Sequence, residues 1–210
     1  MIPLKYPKTV QPLIPSYNYS DVDEGTGITT YYGFTAEKST GEEKLLTTSQ
    51  PYSHLISLSG SLSSSMIYNF SGSFLTGALN RPRIMKGSAV FNVTWRVTNS
   101  TSSNSNFVWV RLRKYDGSAY TQIGEASGSI ISSDAGTMRT TALQIGSIPS
   151  TLIKAGEQIN VVVGVAAAST GNSPYGFIAC DPQNRDDDWF TAGNFDTTKL
   201  IANIPFKIVT

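Results

Sequence analysis

Asp181, Asn184, Asp186, Asp187 and Asp188 place five oxygen-bearing side chains in one short stretch, Asp181-Pro-Gln-Asn-Arg-Asp-Asp-Asp-Trp189. Hard oxygens at that density suit Ca²⁺, which takes roughly six to eight of them. The spacing departs from the helix–loop–helix calcium pattern, because its glycine and closing glutamate are missing. Arg185 also sits inside the cluster and competes for the carboxylates. Asp181, Asp186, Asp187 and Asp188 are therefore a weak calcium candidate. The plainer expectation is a loop whose Asp side chains cap turns by accepting from nearby N–H groups.

Other reactive residues are sparse. The single histidine, His54, stands in Tyr52-Ser-His-Leu-Ile, and no Gly-x-Ser-x-Gly elbow presents a serine for it to activate. The single cysteine, Cys180, rules out an internal disulfide and leaves zinc without a second thiolate. It reads as a small buried hydrophobe. Phosphate-binding glycine loops and His-Glu-x-x-His are absent. Glu37, Glu42, Glu43, Glu125 and Glu157 offer carboxylates for glycoside cleavage, but nothing in their local sequence pairs them. The expectation is a protein that is not an enzyme and uses no cofactor.

Binding chemistry is better represented. In Phe107-Val-Trp-Val-Arg-Leu-Arg-Lys-Tyr115, a period of two puts Trp109, Arg111, Arg113 and Tyr115 on one face. Aromatic rings flanked by guanidinium groups stack sugar rings or pack in a subunit interface, and both readings stand. Trp189 is a third stacking or interface candidate.

The elements that must carry these residues are strands. Ala89, Phe91, Val93, Trp95 and Val97 alternate with Asn92, Thr94, Arg96 and Thr98, the pattern of a half-solvated antiparallel strand. Asp116-Gly-Ser separates the Trp109 strand from a run over Ala119–Ala126 at hairpin spacing. Gln158–Ala168 is nearly all apolar, as a central strand buried on both faces requires. Leu200, Ala202, Ile204, Phe206 and Ile208 make one face of a strand at the C-terminal end. Pro205 lacks an N–H, which predicts an edge or a bulge there. The best helical candidate is one turn near Pro149-Ser-Thr-Leu-Ile-Lys154. About ten strands at this spacing predict an all-β antiparallel sandwich, jelly-roll-like, spanning residues 28–210 as one domain.

Residues 1–27 differ. Pro3, Pro7, Pro12 and Pro15 favour an extended arm, with Leu4, Tyr6, Val10, Leu13, Ile14 and Tyr17 as apolar anchors. The arm lies either along a partner or over its own sheet. Its start lacks the pattern of a signal peptide, and no run reaches the roughly twenty apolar residues of a membrane span.

The chain has 210 residues, 16 basic against 15 acidic, for a formal charge of +1. That balance gives no electrostatic case for nucleic acid or an anionic membrane. Ser and Thr supply nearly a quarter of the residues while only 15% are charged, a surface that is inexpensive to desolvate against neighbours.

Thr30-Tyr-Tyr-Gly-Phe-Thr35 after an apolar arm, Thr151–Val163, Cys180-Asp-Pro-Gln-Asn-Arg185 and the ending Ile204-Pro-Phe-Lys-Ile208 together resemble small β-sandwich structural proteins of tailed prokaryotic viruses. The resemblance implies a capsid decoration or cement protein on the virion surface, made in the host cytoplasm. It implies a homo-oligomer, with a trimer favoured, that binds the major capsid protein. It implies no direct contact with nucleic acid or membrane. A carbohydrate-binding or receptor-binding module and a jelly-roll capsid shell subunit are the alternatives.

Overall fold

Ala89, Phe91, Val93, Trp95 and Val97 are all buried, so the alternation in the sequence does mark a core-facing strand. The computed structural model describes residues 26–37, 43–52, 55–62, 68–98, 105–132, 138–168, 174–185 and 198–207. Among them are strands and no helix. They are β1 (Thr26–Glu37), β2 (Lys44–Thr47), β3 (Ser57–Ser61), β4 (Tyr68–Thr76), β5 (Arg83–Thr98) and β6 (Ser105–Tyr115). After these come β7 (Tyr120–Ser127), β8 (Ile131–Ser132), β9 (Arg139–Ile153), β10 (Gln158–Ala168), β11 (Tyr175–Ala179) and β12 (Leu200–Lys207).

The hydrogen-bonded order is β3-β11-β5-β12-β1-β2-β4-β10-β6-β7, with β9 on the other edge of β5 and β8 on β6. All pairings are antiparallel except β2 with β4. The ladder folds over on itself as an all-β, jelly-roll-like sandwich. One layer is built around β9, β5, β12 and β1, and β11 with β3 extends it. The other is built around β4, β10, β6 and β7. The short β2 joins the layers between β1 and β4, and β5 meets β10 and β6 across the interior.

The inward residues follow from the period of two. Val108, Val110 and Leu112 of β6, Val161, Val163 and Val165 of β10, and Ala202 and Ile204 of β12 share one buried cluster with the β5 residues. Residues 157–167 are buried throughout, and β10 lies between β4 and β6, as its apolar run predicts. Cys180 is fully buried, and desolvation pushes its thiol well above the ordinary range.

One expectation is corrected, and one pair of alternatives is decided. The proposed helical turn at 149–154 is the last part of β9, where Thr151, Leu152 and Ile153 pair with Met85, Ile84 and Arg83. Burial of Ile148 and Ile153 against the core outweighs the local preference of Pro149 and Ser150 for a helix start. The terminal strand β12 is also not an edge, for it lies between β1 and β5.

Pro205 instead meets the second condition, a bulge. The β12–β5 register shifts between Asn203 and Phe206, so Pro205 lies where the pairing with β5 is interrupted, while it stays in register with Ile28 of β1. Gly87 stands opposite at φ 115°, and a Cβ there would approach the Pro205 ring at 3.4 Å. Few L-residues tolerate that backbone conformation. Gly87→Ala is expected to lower stability by about 1–3 kcal/mol in urea unfolding; an unchanged midpoint would show that the kink relaxes freely.

Candidate functional site

Because Val108, Val110 and Leu112 face the core, Trp109, Arg111, Arg113 and Tyr115 must face outward from the same strand. They form a row on the outer surface of the β6–β7–β10 layer, and all four are half-buried. The register sets their neighbours: Trp109 lies opposite Gly164 and Ser127, Arg111 opposite Val162 and Glu125, Arg113 opposite Asn160 and Gln122, Tyr115 opposite Gln158 and Tyr120.

These side chains support one another. The Tyr115 and Tyr120 rings stack with centroids 4.5 Å apart, and the Arg113 guanidinium lies 4.2 Å from the Tyr120 centroid. The Arg111 guanidinium lies 5.3 Å from the Trp109 ring centre. Arg113 Nε donates to Asn160 Oδ1 at 2.9 Å, and Asn160 Nδ2 donates to Ser73 Oγ at 2.9 Å and to the Phe74 carbonyl at 3.1 Å. Arg111 Nε donates to Glu125 Oε2 at 3.2 Å, and Gln122 Nε2 donates to the same oxygen. Burial first, and then the Arg111 charge, lower the Arg113 pKa, while Glu43 raises it.

Gly164 makes room for the indole. A Cβ at this position would fall within the Trp109 ring, so only glycine lets the ring lie down on β10. At the other end of the row, Tyr115 Oη donates to the Gly117 carbonyl at 2.7 Å, tying the ring to the β6–β7 turn.

That turn has its own lock. Asp116 Oδ1 accepts from Ser118 N at 2.9 Å, Ala119 N at 2.8 Å and Ser118 Oγ at 2.9 Å, while Gly117 takes φ 102°. The backbone bonds from Ala119 and Ser118 hold the exposed carboxyl down to about 2, from its ordinary 3.8. A depressed carboxyl stabilises the turn fully above its ordinary value and stops doing so as pH falls through its folded value. The Asp116 ¹³C titration is therefore expected to have its midpoint near 2. A midpoint at the ordinary 3.8 would mean the cap is not formed.

Of the residues singled out by sequence, Trp109, Arg111, Arg113 and Tyr115 are thus brought together. Tyr120, Gln122, Asn160, Ser73 and Gly164 complete the site with no sequence expectation behind them, and Glu125, a carboxylate candidate by sequence, joins it beside Arg111. The hairpin spacing around Asp116-Gly-Ser was the available signal for Tyr120. Asn160 and Gly164, which interrupt the apolar run 158–168, were the signal for the other strand. Asp181 lies elsewhere and is fully buried. Its oxygens accept from the Gln183 and Arg185 backbone N–H groups, and Arg185 also pairs with it through its guanidinium at 3.1 Å. Arg185 in turn covers the Tyr52 ring at 4.4 Å. The carboxylate is thus already occupied with holding its own loop. Asp186, Asp187, Asp188, Trp189, His54 and the arm anchors Leu4, Tyr6, Val10, Leu13, Ile14 and Tyr17 lie outside the described residues.

No family model matches the chain, and a search of curated proteins finds no match. Among solved structures, an α-amino acid ester hydrolase is similar at 11% identity over 85% of this chain and 36% of its own, with a TM-score of 0.51. A CocE/NonD family hydrolase from Staphylococcus aureus is 10% identical over 87% of this chain and 37% of its own, with a TM-score of 0.48. A carbohydrate-binding module of the β-sandwich superfamily is 9% identical over 80% of this chain and 60% of its own, with a TM-score of 0.35. The chain spans 36% and 37% of the length of the two hydrolases, and the likeness extends to the fold alone.

Proposed function

We propose that the protein is a carbohydrate-binding or receptor-binding β-sandwich module, and that the outer face of β6, β7 and β10 holds the saccharide. The observation that carries this reading is the mutually braced row of Trp109, Arg111, Arg113, Tyr115 and Tyr120. A sugar ring offers an apolar C–H face and a rim of hydroxyls. Aromatic rings complement the first, and guanidinium, amide and carboxylate groups complement the second. Rings already held by Gly164, the Asp116 turn and the Asn160 bridge lose little freedom on binding, which favours affinity.

The proposed role is binding without cleavage. Glycoside hydrolysis needs two carboxyl groups on either side of the scissile bond. Glu125, the carboxylate that pairs within the row, is already engaged by Arg111 and Gln122, and Glu43 reaches the row through its charge on Arg113. A glycan array probed with the labelled protein tests the reading: selective retention on one saccharide class supports it, and retention on none refutes it.

A second reading is assembly in a virion, as a decoration protein or a shell subunit. It draws on large apolar side chains left in water, Ile130 at 66% and Leu55 at 60% exposure, on a chain with few charges. Solution mass separates the two readings. A trimer whose association with capsids is lost when Leu4, Tyr6, Leu13 and Ile14 become Ser favours assembly; a monomer argues against it.

A further inference from the structure

A cleft of about 940 Å³ opens at the end of the sandwich, between the start of β1 and the β4–β5 connection. It shares no residue with the aromatic row. It exists because β2 is short. β1 pairs with β12 from Thr26 to Gly33, but with β2 only from Tyr32 onward. On the β2 side, the backbone from Gly27 to Tyr31 therefore has no strand partner among the described residues. Alternate N–H and C=O groups of an antiparallel strand point to each side, so this edge keeps half of them for a partner.

The facing wall is fixed. Leu79 N donates to the Glu157 carbonyl at 2.9 Å, and Gly156 N donates to the Leu79 carbonyl at 2.8 Å. The wall opposite β1 is therefore preformed, and the cleft lies along the stretch of β1 that β2 leaves unpaired. Its charged lining residues are Arg81, Arg83 and Lys207, with no carboxylate among them. The ion pairs among the described residues involve none of the three. Arg83 is held over the Phe206 ring at 5.2 Å. The apolar lining comes from Ile28, Leu46 and Leu79.

We propose that this cleft takes an extended acidic peptide, which adds as a strand along Gly27–Tyr31. Alternate residues of an added strand point in opposite directions. One set packs its apolar side chains on the cleft floor, and the other carries carboxylates to Arg81, Arg83 and Lys207. The three cations give the charge complementarity, and the open edge gives the main-chain pairing.

The test uses fluorescence anisotropy with a labelled octapeptide of alternating Glu and Val. Controls are an octapeptide of alternating Lys and Val and the Glu–Val peptide N-methylated at every second amide. The Glu–Val peptide is expected to bind in the micromolar to millimolar range, and the Lys–Val peptide is not. Arg81→Ser with Arg83→Ser and Lys207→Ser, all at exposed positions, is expected to weaken binding by about tenfold or more. N-methylation is expected to abolish it, and Trp109→Ala to leave it unchanged. Absence of Glu–Val binding up to millimolar peptide overturns the proposal, and so does equal binding of the N-methylated peptide. Neither result bears on the saccharide site, whose own test is independent.

Discussion

Phe91→Ala is expected to cost about 3–5 kcal/mol of folding stability, with a fall in Tm of roughly 10 °C. Phe91 is fully buried in β5, between Leu143 of β9 and Ala202 of β12 in register. β5 is the strand whose inner face meets both β6 and β10 across the interior. Removing the ring therefore empties space that both layers line. The surrounding strands are pinned by their ladders and collapse only partly into the cavity, which adds to the lost transfer free energy. The described residues contain no disulfide to limit the loss, since Cys180 is the one cysteine of the chain. Urea unfolding that shows a cost below about 1 kcal/mol would mean that Phe91 does not fill the space between the layers.

The second large effect is on binding. Trp109→Ala removes the indole at one end of the row and is expected to weaken saccharide binding by about 2 kcal/mol, roughly thirtyfold in Kd, as for an aromatic anchor. Gly164→Ala reaches the same end indirectly. The new methyl occupies the place of the indole, so the ring must swing outward and Arg111 loses its stacking partner. Binding is expected to fall about tenfold while far-UV circular dichroism stays unchanged. Tryptophan emission should shift to the red as the indole enters water. If Gly164→Ala binds like the parent protein, the orientation of Trp109 does not matter to the ligand.

Much of this architecture is legible from alternation alone. The β5, β6 and β12 patterns identify which side chains enter the core, because a pleated strand with one solvated face leaves no other choice, and the unbroken apolar run of β10 marks a strand covered on both faces. Partnership between strands is harder to read. β1 lies beside β12, and Thr30 Oγ1 donates to Asn203 Oδ1 across 173 positions of sequence, a pairing that no local signal announces. Pro205 allowed an edge or a bulge, and the choice rests on β1 and β5 flanking β12 on both sides, which no local signal shows. The error at 149–154 has the same origin. Local residue preference favoured a helical turn, but Ile148 and Ile153 gain more from the core.

The candidate site divides in the same way. Trp109, Arg111, Arg113 and Tyr115 follow from period two within one strand, and Tyr120 follows from the hairpin. Asn160 and Gly164 reach the row only through the β6–β10 register, which aligns Arg113 with Asn160 and Trp109 with Gly164. An amide and a glycine in an apolar strand look like imperfections until that register shows what each supports.

On the proposed reading, the outer face of β6, β7 and β10 binds saccharide through its aromatic row. Tryptophan fluorescence titration of the intact chain, with the oligosaccharide retained best on the glycan array, tests it most directly. Saturable quenching is expected, which Trp109→Ala and Tyr115→Ala each weaken by at least about tenfold with Tm nearly unchanged. Saturable binding with the same Kd in both variants, or no binding by the parent protein, would contradict it.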